Sequence, residues 1–112
     1  MIEAIRRRRS IRKYQDREVS REKIEALLRS AMQAPSARNR QPWEFLVIRD
    51  RQVLKKIPEY HPYSSMVPDA GAAILVCGNT DLQEEPGYIA QDCSAAVQNL
   101  LLEAVQQGLG AV

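Results

Sequence analysis

Apolar residues fall along this chain in two rhythms, one helical and one extended. Ile24, Leu27, Leu28 and Ala31 stand at i, i+3, i+4 and i+7, which lays a single apolar stripe along a helix. Ser20 precedes that stripe as a cap, Glu22 sits in the first turn where a carboxylate suits the helix dipole, and Pro35 ends the helix. Residues 2 to 9 predict a short helix with Ile2 and Ile5 on one side. Asp50 predicts the cap of another, with Val53, Leu54 and Ile57 as its apolar side and an end at or soon after Pro58. Trp43 to Ile48 and Ala72 to Cys77 are short, almost continuously apolar runs, the pattern of strands covered on both faces. Residues 58 to 71 and 78 to 88 read as loops.

The last helix carries the strongest periodicity. From Asp92, the positions Cys93, Ala96, Val97, Leu100, Leu101, Ala104 and Val105 repeat with helical spacing, and Glu103 is the only charge between Cys93 and Gln107. A helix so poor in charge is expected to be mostly buried, and in a chain this small a second copy would be needed to cover all its sides. Gly108 and Gly110 end it. Leu109, Ala111 and Val112 then read as the approach to a third strand, so the 112 residues are expected to be a single domain that continues in longer versions.

Charge changes the picture more than composition does. Hydrophobic residues make up 45% of the chain, enough for a core, and the formal net charge is only +2. Residues 1 to 17 nevertheless hold seven Lys or Arg against two acids, leaving the rest of the chain net acidic. A basic character confined to one site favours a small anionic ligand over wrapped nucleic acid. The lone His61 has no metal-ligating neighbours, so metal chemistry has no support. Cys77 and Cys93 read as buried free thiols of a reducing compartment. No apolar leader follows the arginines, and no run approaches the roughly 20 apolar residues that span a bilayer. A soluble, cytoplasmic protein is expected.

Two segments carry the candidate chemistry. Arg6-Arg7-Arg8-Arg9-Ser10-Ile11-Arg12 sets several guanidinium forks beside a hydroxyl, a suitable cradle for phosphate oxygens. Ala34-Pro35-Ser36-Ala37-Arg38-Asn39-Arg40-Gln41-Pro42-Trp43 is a polar turn at the end of a helix. Together with Gln91-Asp92-Cys93-Ser94-Ala95-Ala96 and Gly108-Leu109-Gly110-Ala111-Val112, and in this order and spacing, they resemble the nitroreductase family of flavin-dependent oxidoreductases.

The resemblance implies an α+β fold, a mixed sheet flanked by helices, acting as a homodimer with FMN at the subunit interface. It implies that Arg8, Arg9, Ser10 and Arg12 hold the FMN phosphate and ribityl chain, while Arg6 and Arg7 stay solvated. Pro35, Ser36, Ala37 and Asn39 would reach the flavin largely from the partner subunit, with Trp43 as core. The implied reaction takes hydride from NADH or NADPH and passes it to a small acceptor such as a nitroaromatic or quinone. No catalytic side chain of the protein's own is then required, because the cofactor carries the electrons. The alternative from another class is a nucleic-acid-binding or interaction module that uses the arginine run as a basic arm. The scarcity of aromatics, 5%, argues against it, since single strands are gripped by stacking.

Overall fold

The computed structural model describes residues 1–112, and its longest element organises the rest. Helix α4 spans Pro86–Gln106, and α1 (Glu3–Arg7), α2 (Arg21–Ala31), β1 (Trp43–Ile48) and β2 (Ala73–Gly78) all pack on it. The remaining helix, α3 (Arg51–Tyr60), lies between the strands in sequence and packs on a 3-10 turn at Val67–Asp69. A stripe of small residues, Ala96 and Ala104 with Leu100 between them, faces Ile24, Leu27 and Ala31 of α2. Alanines at these positions let the two helix backbones approach closely, which is why α2 and α4 make the main helix pair. A polar seam runs beside this contact. Ser30 donates to the Glu103 carboxylate at 2.9 Å, Asn99 donates to the Ser30 carbonyl, and Lys23 donates to the Gln107 carbonyl at 2.9 Å.

The caps follow the sequence. Ser20 Oγ accepts from the Lys23 N–H, and Asp50 Oδ1 accepts from the N–H groups of Gln52 and Val53. At the other end of α4, Gly108 takes a left-handed φ of 72°. The Gly108 N–H then bonds the Val105 carbonyl and the Leu109 N–H bonds the Ala104 carbonyl. This Schellman arrangement satisfies the last carbonyls and turns the chain back.

β1 and β2 form an antiparallel pair in register from Trp43–Gly78 to Ile48–Ala73. A single parallel bridge, Ser10 to Ala111, stands apart from them and is all that the expected third strand amounts to here. The α+β architecture is thus present, with both strand senses. The expectation that both strand faces are covered does not hold. Phe45, Val47, Ile74 and Val76 face the core, but the directly paired Leu46 and Leu75 are 55% and 51% exposed on the outer face. Nothing in this chain lies over that face. For the same reason Cys77 is exposed rather than buried, while Cys93 is half-buried against α4's neighbours; both thiols are free.

Three further expectations are corrected. The first helix is only five residues long and buries Ala4, leaving Ile2 and Ile5 exposed, because Arg8 adopts an extended conformation and ends it. α2 ends at Ala31, before Pro35, because the pre-proline residue disfavours helical geometry and the chain passes into short turns. α4 starts at Pro86, six residues before the periodicity becomes visible, with the proline in its first turn and Glu85 as cap.

An open apolar cleft of about 1190 Å³ remains between the 10–19 segment, the loop after α3 and the C-terminal half of α4. The radius of gyration, 14.3 Å, exceeds the roughly 13 Å of a filled domain of this length, consistent with that unfilled space. No helix is long and apolar enough to cross a membrane.

Candidate functional site

The arginine run is divided by the end of α1 into residues with different jobs. Arg6 is engaged with Glu3 one turn back, Nε to carboxylate at 2.9 Å, on the exposed side of the helix. Its hydrogen bonds hold the Glu3 carboxyl below the usual carboxylate range and push the Arg6 guanidinium above its own. Arg9 folds back, donating from Nη1 to the carbonyls of Arg6 and Arg8 at 2.8 and 2.7 Å, so it closes the helix end while its other N–H groups stay free. Arg8 and Arg12 make no ion pair and no side-chain hydrogen bond.

Ser10, between these two free guanidinium groups, sits in the bridge to Ala111, and the Ile11 N–H donates to the Ala111 carbonyl at 2.9 Å. Gly110 permits this approach: a Cβ there would lie 2.7 Å from Ile11 Cγ2. Tyr14 then folds over the segment, its hydroxyl donating to the Ile11 carbonyl at 2.8 Å. Burial raises the Tyr14 phenol above its ordinary value, and the positive charge of Arg12 partly offsets this. Arg12 and Tyr14 both line the apolar cleft. The result is a backbone clamped at one point, with two cations and a hydroxyl left unpaired. That set suits a phosphate group.

The second segment is built the opposite way. Ala37–Asn39 is a 3-10 turn whose geometry is left-handed: Arg38, Asn39 and Gln41 have φ of 54°, 55° and 49°. Three non-glycine residues with positive φ within four positions store backbone strain, which persists only where surroundings enforce it. Two interactions enforce it here. The Ser36 hydroxyl accepts from the Gln41 N–H at 3.0 Å, closing the loop. The Ala37 N–H donates to both carboxylate oxygens of Asp92, each at 3.2 Å, and Asp92 is buried on α4. Pro42 and Trp43 are buried and anchor the exit into β1, so Trp43 is core as expected. The Asn39 side chain makes no hydrogen bond and is exposed. Pro35 is also exposed, and Ser36 and Ala37 are half-buried.

The sequence-predicted residues therefore form two groups that the single chain does not unite. Arg8, Arg9, Ser10 and Arg12 are tied to the chain just past the C-terminal end of α4. Pro35, Ser36, Ala37 and Asn39 are tied to its N-terminal half through Asp92. No hydrogen bond joins the groups. Asp92 and Gly110 are positioning residues, a role that the sequence did not assign to either, although both lie in the segments that carry the resemblance. Asp92 had one legible signal, a lone acid entering an apolar helix; the left-handed turn had none. No three His, Cys, Asp or Glu side chains gather as a metal site.

Comparison with known proteins bears on the family and the fold. Residues 5–73 match the model of the Nitroreductase family. A relative from Methanothermobacter thermautotrophicus, named "Putative NADH dehydrogenase/NAD(P)H nitroreductase", is 56% identical over all of this chain, which covers 59% of that protein. A crystal structure of a protein of the same name from Parabacteroides distasonis superposes with a TM-score of 0.93 at 48% identity, covering 99% of this chain and 65% of that one. An FMN-dependent nitroreductase from Clostridium difficile superposes with a TM-score of 0.88 at 32% identity, covering 98% and 63% respectively. The chain thus spans about three fifths of the length of these relatives.

Proposed function

The chain belongs to the nitroreductase family, and we propose from this that it serves an FMN-dependent oxidoreductase, moving hydride from NADH or NADPH to a small acceptor such as a nitroaromatic or quinone. The observation that carries the reading is the pair of unpartnered guanidinium groups, Arg8 and Arg12, flanking Ser10 on a segment clamped by the bridge to Ala111. Bound FMN would supply the two-electron chemistry, which the side chains here do not. The chain's own residues would do the holding. Arg8 and Arg12 neutralise and grip the phosphate, Ser10 donates to it, and Arg9 stiffens the helix end that presents them. Asn39, with its free amide, and the Pro35–Ala37 backbone form a second wall.

Because that wall is tied to the other half of α4, a second copy of the chain is the natural source of it, which supports a homodimer. The half-buried Val97, Leu101 and Val105 and the low charge of α4 support the same assembly. The basic-arm alternative draws no support from the relatives. Arg6 is moreover occupied by Glu3, and Arg9 by its own helix end. The deciding experiment is titration of the apo-protein with FMN, followed by flavin fluorescence. Binding that depends on Arg8 and Arg12 but not on Arg6 supports the reading; no binding, or equal dependence on all three, overturns it.

A further inference from the structure

A second pocket, about 500 Å³, opens beside the strained turn, within the size range of small-molecule sites. Arg38 and Arg40 of the turn line it together with Asp81, Glu84 and Glu85 of the loop before α4. Two cations and three carboxylates share this space, yet none of them pairs. The chain's two salt bridges are Glu3–Arg6 and Arg21–Glu25, and neither Arg38 nor Arg40 makes a side-chain hydrogen bond. The left-handed backbone at Arg38 and Asn39 fixes where the arginines start from, and Asp92 holds that backbone.

One lining residue is largely buried and keeps a donor spare. Gln83 is only 8% exposed; its Oε1 accepts from the Glu85 N–H at 3.1 Å, while its Nε2 donates to nothing. No fully enclosed side-chain polar atom in the protein lacks a partner, so this Nε2 keeps some contact with solvent, and Gln83 is itself one of the residues lining the pocket. The N-terminus of α4 is not available to an anion, since Glu85 already accepts from the Gly87 N–H there. An incoming anion must be met by the arginines.

A bare anion would meet three acids against two arginines, which is unfavourable. A ligand with an anion at one end and hydroxyl donors at the other satisfies both walls. The arginines take the phosphate, and a carboxylate accepts from sugar hydroxyls, the same division of labour by which acidic residues hold ribose in dinucleotide sites. Tyr88, also on the lining, offers an aromatic face for a base. We infer that this pocket binds a ribonucleoside phosphate, the non-reacting end of the hydride donor. The identification of that ligand as the donor rests on the function proposed above; the pocket's chemistry does not.

The test is calorimetric titration of the full chain with AMP, with inorganic phosphate and with adenosine. AMP should bind more tightly than either fragment, and Arg38→Gln or Arg40→Gln should each weaken it about tenfold. Arg29→Gln, an exposed arginine on α2, should leave AMP binding as it was. Glu84→Gln should act with opposite signs, weakening AMP while tightening inorganic phosphate. The inference fails if Glu84→Gln tightens both, if phosphate binds as well as AMP and through Arg38 and Arg40, or if AMP binding is lost with Arg12→Ala instead. FMN titration of the unaltered chain separates the two readings. AMP binding with this signature but no FMN binding keeps the pocket and discards the oxidoreductase; FMN binding without AMP binding does the reverse.

Discussion

The arginine segment and the Ser36–Gln41 turn solve opposite problems. The first keeps an ordinary backbone, pinned by one bridge, and leaves its side chains free. The second spends its interactions on the backbone, holding three residues at positive φ through Ser36 and a buried carboxylate. A site made of side chains tolerates a loose frame, because long guanidinium arms can adjust. A site made of backbone does not, since a flipped peptide removes the donor altogether. The two regions should therefore fail differently, the turn by loss of fold and the arginines by loss of ligand.

The largest effect should come from Asp92→Ala. It leaves the Ala37 N–H without its charged acceptor and should cost roughly 1.5–3 kcal/mol, read as a lower denaturant midpoint. An unchanged midpoint would mean that the turn holds its shape unaided. Next, Arg12→Ala should weaken FMN binding by about ten- to a hundredfold with little change in stability, whereas Arg6→Ala should do neither. A stability loss at Arg12 would erase the contrast between the two regions.

Gly110→Ala probes the frame of the arginine segment. Its Cβ would press on Ile11 and should cost about 1 kcal/mol or more, with a several-fold loss of FMN affinity as Ser10 is displaced. If affinity is indifferent, the bridge to Ala111 does not position the site.

The smallest effect concerns thiol reactivity. Burial, then the Asp92 charge, then Cys77 raise the Cys93 thiol above its ordinary value. The folded state thus favours the neutral thiol. That contribution is complete below the ordinary thiol pKa and fades as pH rises through the raised value. Near neutral pH, Cys93 should alkylate more slowly than exposed Cys77, and Asp92→Asn should speed it by removing the nearby charge. Mass spectrometry of the two labelled peptides checks both statements.

How much was legible follows the same division. β1 was read to the residue, and α2 and α3 with their caps, because periodicity and capping are local properties of side chains. The start of α4 was missed because Pro86-Gly87 reads as a break, although proline is at home in a first helical turn. Leu46 and Leu75 promised a covered face from their apolarity alone, yet what covers a strand is decided by the rest of the fold. The left-handed run at Arg38, Asn39 and Gln41 was illegible. No one of those residue types requires positive φ, and the carboxylate that holds the turn is more than fifty residues away.

The bridge between Ser10 and Ala111 also has a consequence in time. Its partners lie about a hundred residues apart, so this is among the longest loops the chain must close, and no local contact can stand in for it. During synthesis at roughly 5–20 residues per second, the arginines would wait some 5–20 seconds in the open before their frame exists. The cradle is thus among the last parts of the molecule to be assembled. The Ile11 amide, which donates to Ala111, is the proton whose exchange with solvent would report that moment.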